Sequence, residues 1–386
     1  MRLSEAQTSI VRADLNSPIQ VLASAGAGKT RVLTERIRFI LNNTKRDREI
    51  ALTFTNKAAE EMQERLSSID EIEERTWIST VHSVAQRVLE QYGHTIGLPS
   101  DLHIYDRDKD RMEVFLQSLR DEGVDIDEYL NVEDSRTKRN RQQIMQDYMD
   151  TFSTIKRELL SQEEVEERYS VESGVWKIFQ DYQNALLASG GIDYDDILIF
   201  AHRLLLTQEW IGDLYRAKFK HLCVDEAQDL NKAQYEFIRA FCGDKINSVL
   251  MVGDPNQMIY GFNGSSEKYL ISSFVNDFRP LQYKLTENYR STEAVIEVAN
   301  RIKPGSQTGS DMALKGFFHL ESFEDEYAEA NWIVAEVRRL LAISEHHEIE
   351  GKITLEKMVV IARNRFVFNC LKDNLEREDM PFHLKK

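Results

Sequence analysis

Eight residues near the start of the chain, Ala23-Ser24-Ala25-Gly26-Ala27-Gly28-Lys29-Thr30, have the types and spacing needed to hold a polyphosphate. Small side chains at Ala25, Gly26, Ala27 and Gly28 let successive backbone N–H groups turn toward one anion. The Lys29 ammonium can then reach the outer phosphate oxygens, and the Thr30 hydroxyl is placed to ligate Mg²⁺. The first position of such a loop is usually glycine and is Ala23 here. A second constellation closes the apolar run His221-Leu222-Cys223-Val224 with Asp225 and Glu226, which suit holding Mg²⁺ through its water shell and polarising an attacking water, respectively. Val252-Gly253-Asp254-Pro255-Asn256-Gln257 offers Gln257 as a sensor of the terminal phosphate. Glu287-Asn288-Tyr289-Arg290-Ser291 offers Arg290 to neutralise charge on a transferred phosphoryl group. Taken singly, an acidic strand end is usually solvated and a lone arginine is usually a surface cation; their order behind a phosphate loop gives them weight.

The elements that must position these residues follow from the hydrophobic pattern. A short strand over Ile19 to Leu22 leads into the loop, a helix follows over Arg31 to Leu41, and a strand over Ile50 to Phe54 precedes another helix, a βαβ progression. From about Val84 to Leu187 the sequence turns charged and helix-like, with few Gly or Pro, which predicts an all-helical insertion. Strand patterns return at Lys220 to Val224 and Ser248 to Val252. A second α/β unit is expected from about Leu281, with helices over Thr292 to Arg301 and Glu326 to Leu341, an exposed loop over Lys303 to Ser310 and a strand over Met358 to Ile361. At 386 residues two or three domains are expected, and the absence of an apolar leader or of a run of about 18 apolar residues gives a cytoplasmic expectation. Cys223, Cys242 and Cys370 are too few and scattered for a disulfide framework or a zinc site and are expected to be buried thiols. The net charge of −16 excludes a wholly basic coat for nucleic acid, while leaving room for a groove built on aromatic stacking.

In this order the motifs resemble the UvrD/Rep/PcrA group of superfamily 1A helicases, and the resemblance spans nearly the whole chain. Leu3-Ser4-Glu5-Ala6-Gln7 is similar to the Q motif, implying that Gln7 reads adenine; Ala23 to Thr30 is similar to motif I, with Arg31 as the nucleotide-contacting arginine. Thr53-Phe54-Thr55-Asn56-Lys57-Ala58-Ala59 resembles motif Ia and Thr80-Val81-His82-Ser83 motif Ib, which implies that Phe54, Thr55, Asn56, Thr80 and His82 face single-stranded DNA. From the residues alone, Thr80 reads as a helix cap and His82 as a packed side chain. Asp193-Tyr194-Asp195-Asp196-Ile197-Leu198 resembles the return from the helical insertion.

Asp225-Glu226-Ala227-Gln228-Asp229 is similar to motif II, implying that Gln228 couples the nucleotide to motif III; the latter resembles Gly253 to Gly264, with Tyr260 and Phe262 on the DNA. Family members commonly carry Trp and Arg where this chain has Phe262 and Asn263, which keeps a stacking ring but removes a positive charge. Asn288-Tyr289-Arg290-Ser291 resembles motif IV, implying adenine stacking by Tyr289 and an arginine finger in Arg290, and Val359-Val360-Ile361-Ala362-Arg363-Asn364 resembles motif IVa.

The resemblance implies an α/β fold with a RecA-like P-loop domain 1A over 1–85 and 190–280, a helical 1B insertion over 86–189 and part of a second RecA-like domain, 2A, over 281–386. It further implies ATP and Mg²⁺ as cofactors, single-stranded or partly duplex DNA as partner and 3′ to 5′ translocation. In the family, motifs V and VI follow motif IVa and a 2B domain interrupts 2A; the sequence reaches Lys386 before them, so a longer protein is expected. Two other readings stay open: a DNA-stimulated ATPase subunit of a repair or phage-defence assembly, with a partner such as a nuclease or repair factor, and a non-catalytic DNA-binding scaffold.

Overall fold

Runs of apolar residues interrupted by few polar ones become parallel strands buried on both faces, because a parallel sheet must be covered by helices on each side. A computed structural model describes residues 3–384 except 70, 71, 244, 245, 247, 348 and 350. It divides into two units, Met1–Leu285 and Thr286–Lys386. In chain order the strands are β1 (Ile19–Ala23), β2 (Glu49–Thr53), β3 (Thr76–Thr80), β4 (His103–Tyr105), β5 (Gly191–Asp193), β6 (His221–Val224), β7 (Ser248–Gly253), β8 (Leu281–Leu285), β9 (Glu287–Asn288) and β10 (Thr308–Gly309).

In the first unit six strands form one parallel sheet in the order β3-β2-β6-β7-β1-β8. Ile19, Val21, Ala51, Cys223 and Leu250 feed a core on one face with Val32, Leu33 and Ile37 of the helix Lys29–Asn43. Ile50, Leu52, Leu222, Val224 and Met251 feed the other face with the helices Val81–Tyr92, Asp196–Thr207 and Lys232–Cys242. The strand that carries the two carboxylates, β6, is thus separated from the phosphate-loop strand β1 by β7 alone, and all three point the same way.

The strand Leu281–Leu285 pairs with β1 from Ile19↔Leu281 to Ala23↔Leu285, so it closes this sheet instead of opening the next domain, and the boundary falls after Leu285 rather than at 281. The physical reason is the free ladder edge of β1, which backbone donors and acceptors must fill.

The helical segment builds its own core from Phe115, Met149, Phe152, Phe179, Tyr182 and Leu186. The helix Val81–Tyr92 belongs to the sheet's core, so the separate helical core begins with the helix Asp108–Asp121. A buried ion cluster ties that segment to its return: Lys156 Nζ lies 2.7 Å from Asp193 Oδ2 and 2.9 Å from Asp196 Oδ1, with all three side chains almost fully buried. Burial alone would raise the Asp193 carboxyl, yet Lys156 and Arg111 hold it below the usual carboxylate range, while burial pushes Asp196 up despite Lys156.

The second unit holds the parallel pair β9 and β10 with the helix Glu293–Ile302, and the helices Glu326–Ile343 and Asn369–Arg377, which pack together through a small core of Ala330, Val334 and Leu371. The expected strand over Met358 to Ile361 is not formed. Val359 is 79% and Ile361 84% exposed, and no strand among the described residues lies beside them to supply the hydrogen bonds that an apolar run needs to become a strand. Cys223 and Cys242 are buried as expected, but Cys370 is only half-buried. Among the described residues no helix is long and apolar enough to cross a membrane.

Candidate functional site

The carboxyl ends of β1, β6 and β7 bring the candidate chemistry of the first unit together, as expected for ligands at the strand ends of an open α/β sheet. After Ala23 the chain leaves β1 into the loop, where Ser24 N–H donates to Leu285 O at 2.8 Å and Gly26 and Gly28 take φ of 73° and 81°. That left-handed backbone is what the glycines are needed for. Gly28 is also the N-cap of the helix Lys29–Asn43 and supplies no side-chain cap, so the first-turn amides and the positive end of the helix dipole stay open to an anion. Beneath the loop, Gln7 is buried at 2% exposure; its Oε1 accepts from Ser4 N–H, and its Nε2 donates to Ala27 O at 3.1 Å. A Cβ at Gly28 would come within 2.9 Å of that amide. Gln7 therefore braces the phosphate loop, a role the sequence did not disclose. Arg31 follows in the first turn of the helix.

Lys29 Nζ lies 3.0 Å from Glu226 Oε2, and Thr30 Oγ1 lies 3.5 Å from Asp225 Oδ2. Glu226 itself sits at φ 49°, ψ 43°, a left-handed conformation that is costly for a residue with a Cβ and that clusters at functional sites. Burial, with the Glu226 charge adding to it, pushes the Asp225 carboxyl up to about 6, and the same two causes push Asp229 up to about 6. Gln228, buried at 1% exposure, ties this acidic cluster to the next strand end. Its Nε2 donates to Glu226 Oε2 at 3.0 Å and to Asp229 Oδ2 at 3.2 Å, and its Oε1 accepts the Asp254 N–H at 3.0 Å. Asp254 in turn accepts the Gln257 amide at 2.6 Å. Gly253 has no Cβ for a steric reason, since one would lie 2.4 Å from Gln228 Oε1.

These residues fit a Mg²⁺-bound polyphosphate. Three crowded carboxylates, two of them with raised affinity for protons, call for a cation; a hydroxyl and a carboxylate face each other at 3.5 Å; and Lys29 Nζ is buried without an aligned hydrogen bond. Mg²⁺ keeps most of its waters and binds through one or two protein oxygens plus phosphate, so a dense cage is not required, and among the described residues none is present.

A second surface holds the residues expected on DNA. Phe54 and Tyr260 lie 4.7 Å apart between ring centroids, and Tyr260 and Phe262 lie 6.0 Å apart, with Phe262 81% exposed. Thr55 and Asn56 are exposed at the start of the helix Asn56–Leu66, where the Thr55 hydroxyl caps Ala58 N–H. Thr80 is different: it is buried and its hydroxyl caps Ser83 N–H, so the structure gives it the capping role and does not present it to solvent. His82 stacks on Tyr194 at 4.2 Å, and burial holds its imidazole down at about 4, hence neutral. Tyr194, 44% exposed, and Arg157 join this surface without having been singled out from the sequence. Two acidic neighbours on one side and a helix end on the other masked them.

In the second unit, the buried Asn288 shapes the turn that carries the motif IV residues. Its Oδ1 accepts from the N–H groups of Arg290 and Ser291, and its Nδ2 donates to Ser291 Oγ and Gln307 Oε1. Tyr289 O–H donates to Glu287, and Arg290 is exposed.

Residues 3–279 match the UvrD/REP helicase N-terminal domain. Over 99% of its length the chain is 30% identical to the DNA helicase II of Haemophilus influenzae, covering 51% of that protein. It is 30% identical to the ATP-dependent DNA helicase UvrD1 of Mycobacterium tuberculosis over 95% of the chain and 47% of the relative. With the ATP-dependent DNA helicase PcrA of Staphylococcus aureus it shares 28% identity over 95% of the chain and 48% of the relative. The chain spans about half the length of the curated relatives it matches. With its parallel sheet, phosphate loop and separated carboxylate strand, the first unit has the RecA-like α/β fold, and the chain belongs to the UvrD/REP helicase family.

Proposed function

We propose that this chain is the ATP-binding motor portion of an ATP-dependent DNA helicase or translocase that moves 3′ to 5′ on single-stranded DNA. The observation that carries the reading is the linked set of strand ends, in which Lys29, Glu226, Gln228 and Asp254 form one continuous chain of contacts. Lys29 and the amides at Gly26 to Thr30 bind the phosphates, with Thr30 and Asp225 as the holders of Mg²⁺. When bound, Mg²⁺ would neutralise charge on the β and γ phosphates. Phosphate competes with Glu226 for Lys29, which frees the Glu226 carboxylate to orient the attacking water. The change at Glu226 passes through Gln228 to Asp254 and Gln257, and the segment after Gln257 carries Tyr260 and Phe262. Aromatic rings there stack on bases, each worth about 1–3 kcal/mol. For Tyr289 and Arg290 the support is local, in the turn fixed by Asn288; adenine stacking and charge neutralisation are their proposed roles. Names of the relatives support DNA as the partner, and polarity rests on the motif resemblance.

The test is ATP hydrolysis by the purified full-length protein with and without a dT oligomer. Stimulation that disappears in Lys29→Ala supports the motor; ATP binding with no hydrolysis in either condition sinks it in favour of a scaffold.

A further inference from the structure

Asn263, which stands where related chains commonly carry an arginine, accepts a hydrogen bond from an arginine of another element. Arg157, at the last position of the helix Ser135–Arg157, directs Nε to Asp195 Oδ1 at 2.8 Å and Nη1 to Asn263 Oδ1 at 3.1 Å. Asp195 follows Tyr194, which stacks on His82, and Asn263 follows Phe262, which neighbours Tyr260. The guanidinium therefore holds residues that adjoin, along the chain, each of the two aromatic groups of the surface. Guanidinium carries five N–H donors in a planar fork. With Nε and one Nη1–H engaged, the Nη2 amine and the second Nη1–H have no hydrogen bond within the described residues, and 29% of the side chain is exposed to solvent. Two fixed acceptors orient the fork, which lowers the entropy lost on binding a third.

We infer that Arg157 is a phosphate-gripping residue of the single-strand surface, holding a backbone phosphate between a base on the Phe54/Tyr260/Phe262 rings and one on the Tyr194 ring. The inference rests on the DNA reading proposed above. It also assigns Asn263 a purpose: a short neutral acceptor that aims the arginine, where a second cation would repel it. The bland alternative is that Arg157 only fastens the helix end to the return segment, as its neighbour Lys156 does.

The test measures binding of a fluorescent dT oligomer to the complete chain by anisotropy across a salt titration, with binding of a nucleotide analogue as the control for folding. Arg157→Gln should weaken binding roughly tenfold at about 0.1 M salt and lower the slope of log K against log salt by about 0.7, the loss of one phosphate contact on a single strand. Asp195→Asn breaks the same ion pair but keeps the cation, so affinity should hold or rise. The exchange Arg157→Asn with Asn263→Arg moves the charge across the 3.1 Å contact and should recover most of the slope. An unchanged slope in Arg157→Gln, or equal losses in Arg157→Gln and Asp195→Asn, overturns the assignment while the DNA reading stands. A parent chain that binds nucleotide but no dT oligomer overturns both.

Discussion

Removing the Gln228 side chain tests how the acidic cluster is held. Gln228→Ala deletes two donations to carboxylates, at 3.0 and 3.2 Å, and leaves the buried Asp254 N–H without its acceptor. An orphaned buried N–H costs about 1–3 kcal/mol, and hydrogen bonds to charged groups contribute about 1.5–3 kcal/mol. Water entering the vacated space recovers part of this, so a net loss of about 3 kcal/mol is expected, or roughly 5 °C in Tm for a unit of this size. Urea and thermal unfolding measure that loss. The functional effect is separate: with Glu226 untethered, DNA-stimulated ATP turnover should fall by at least about tenfold, roughly 1.4 kcal/mol in the barrier, while affinity for a nucleotide analogue stays within about twofold. Gly253→Ala should reproduce both effects, because its Cβ would lie 2.4 Å from Gln228 Oε1 and 3.1 Å from the Gln228 backbone nitrogen, so the side chain must leave. The double variant should then be no worse than either single one, as residues acting through one contact are not additive. Wild-type turnover in Gln228→Ala, or full additivity in the pair, refutes the coupling.

Other outcomes are expected in the same protein. Lys29→Ala should abolish nucleotide binding and hydrolysis, whereas Glu226→Gln should abolish hydrolysis and leave binding intact; equilibrium binding beside steady-state ATPase rates separates the two, and residual turnover in either counts against the assigned roles. Phe262→Ala should weaken dT-oligomer binding by about 1–3 kcal/mol with little change in salt slope, and a slope change without an affinity change would contradict stacking. Glu49, 1% exposed and with no partner for Oε2, has its carboxyl pushed up to about 7 by burial from an ordinary 4.5. Between those values the folded chain holds a proton that the unfolded chain has lost, so stability falls as pH rises through the window, by on the order of 3 kcal/mol. Glu49→Gln should match the parent's urea midpoint near pH 4.5 and exceed it at pH 8; parallel curves would show that Glu49 does not titrate there.

What was legible in the sequence was local. The strand, small-residue loop and uncapped helix around Lys29 follow each other without a break, so Ala25 to Thr30 declared their geometry, as did Asp225 and Glu226 behind His221–Val224. Partners distant in sequence were not legible. Leu281–Leu285 is a strand because the edge of β1 is free to pair with it, a fact about a segment more than two hundred residues away. Met358 to Ile361 has the apolar composition of a strand and lacks a neighbour to pair with. Arg157 looked like any base at a helix C-terminus, where a cation complements the dipole; only its contacts with Asp195 and Asn263 show that it belongs to an aromatic surface. Thr80 satisfied a motif and a cap at once, and in the fold the cap holds its hydroxyl.

The same distinction explains why motif II and motif III are joined by a glutamine. A carboxylate at position 228 would accept from Asp254 N–H equally well, but it would set a further negative charge against Asp225, Glu226 and Asp229, two of which already hold protons up to about pH 6. A lysine would donate to the acids yet could not accept from Asp254. An uncharged amide does both, its NH2 donating to Glu226 and Asp229 on β6's side and its oxygen accepting on β7's. Whatever moves Glu226 away from its place beside Lys29 therefore changes the hydrogen bonding of the strand end that leads to Tyr260 and Phe262. The coupling proposed above rests on the donor and acceptor requirements of one buried side chain, and Gly253 is the space left for it.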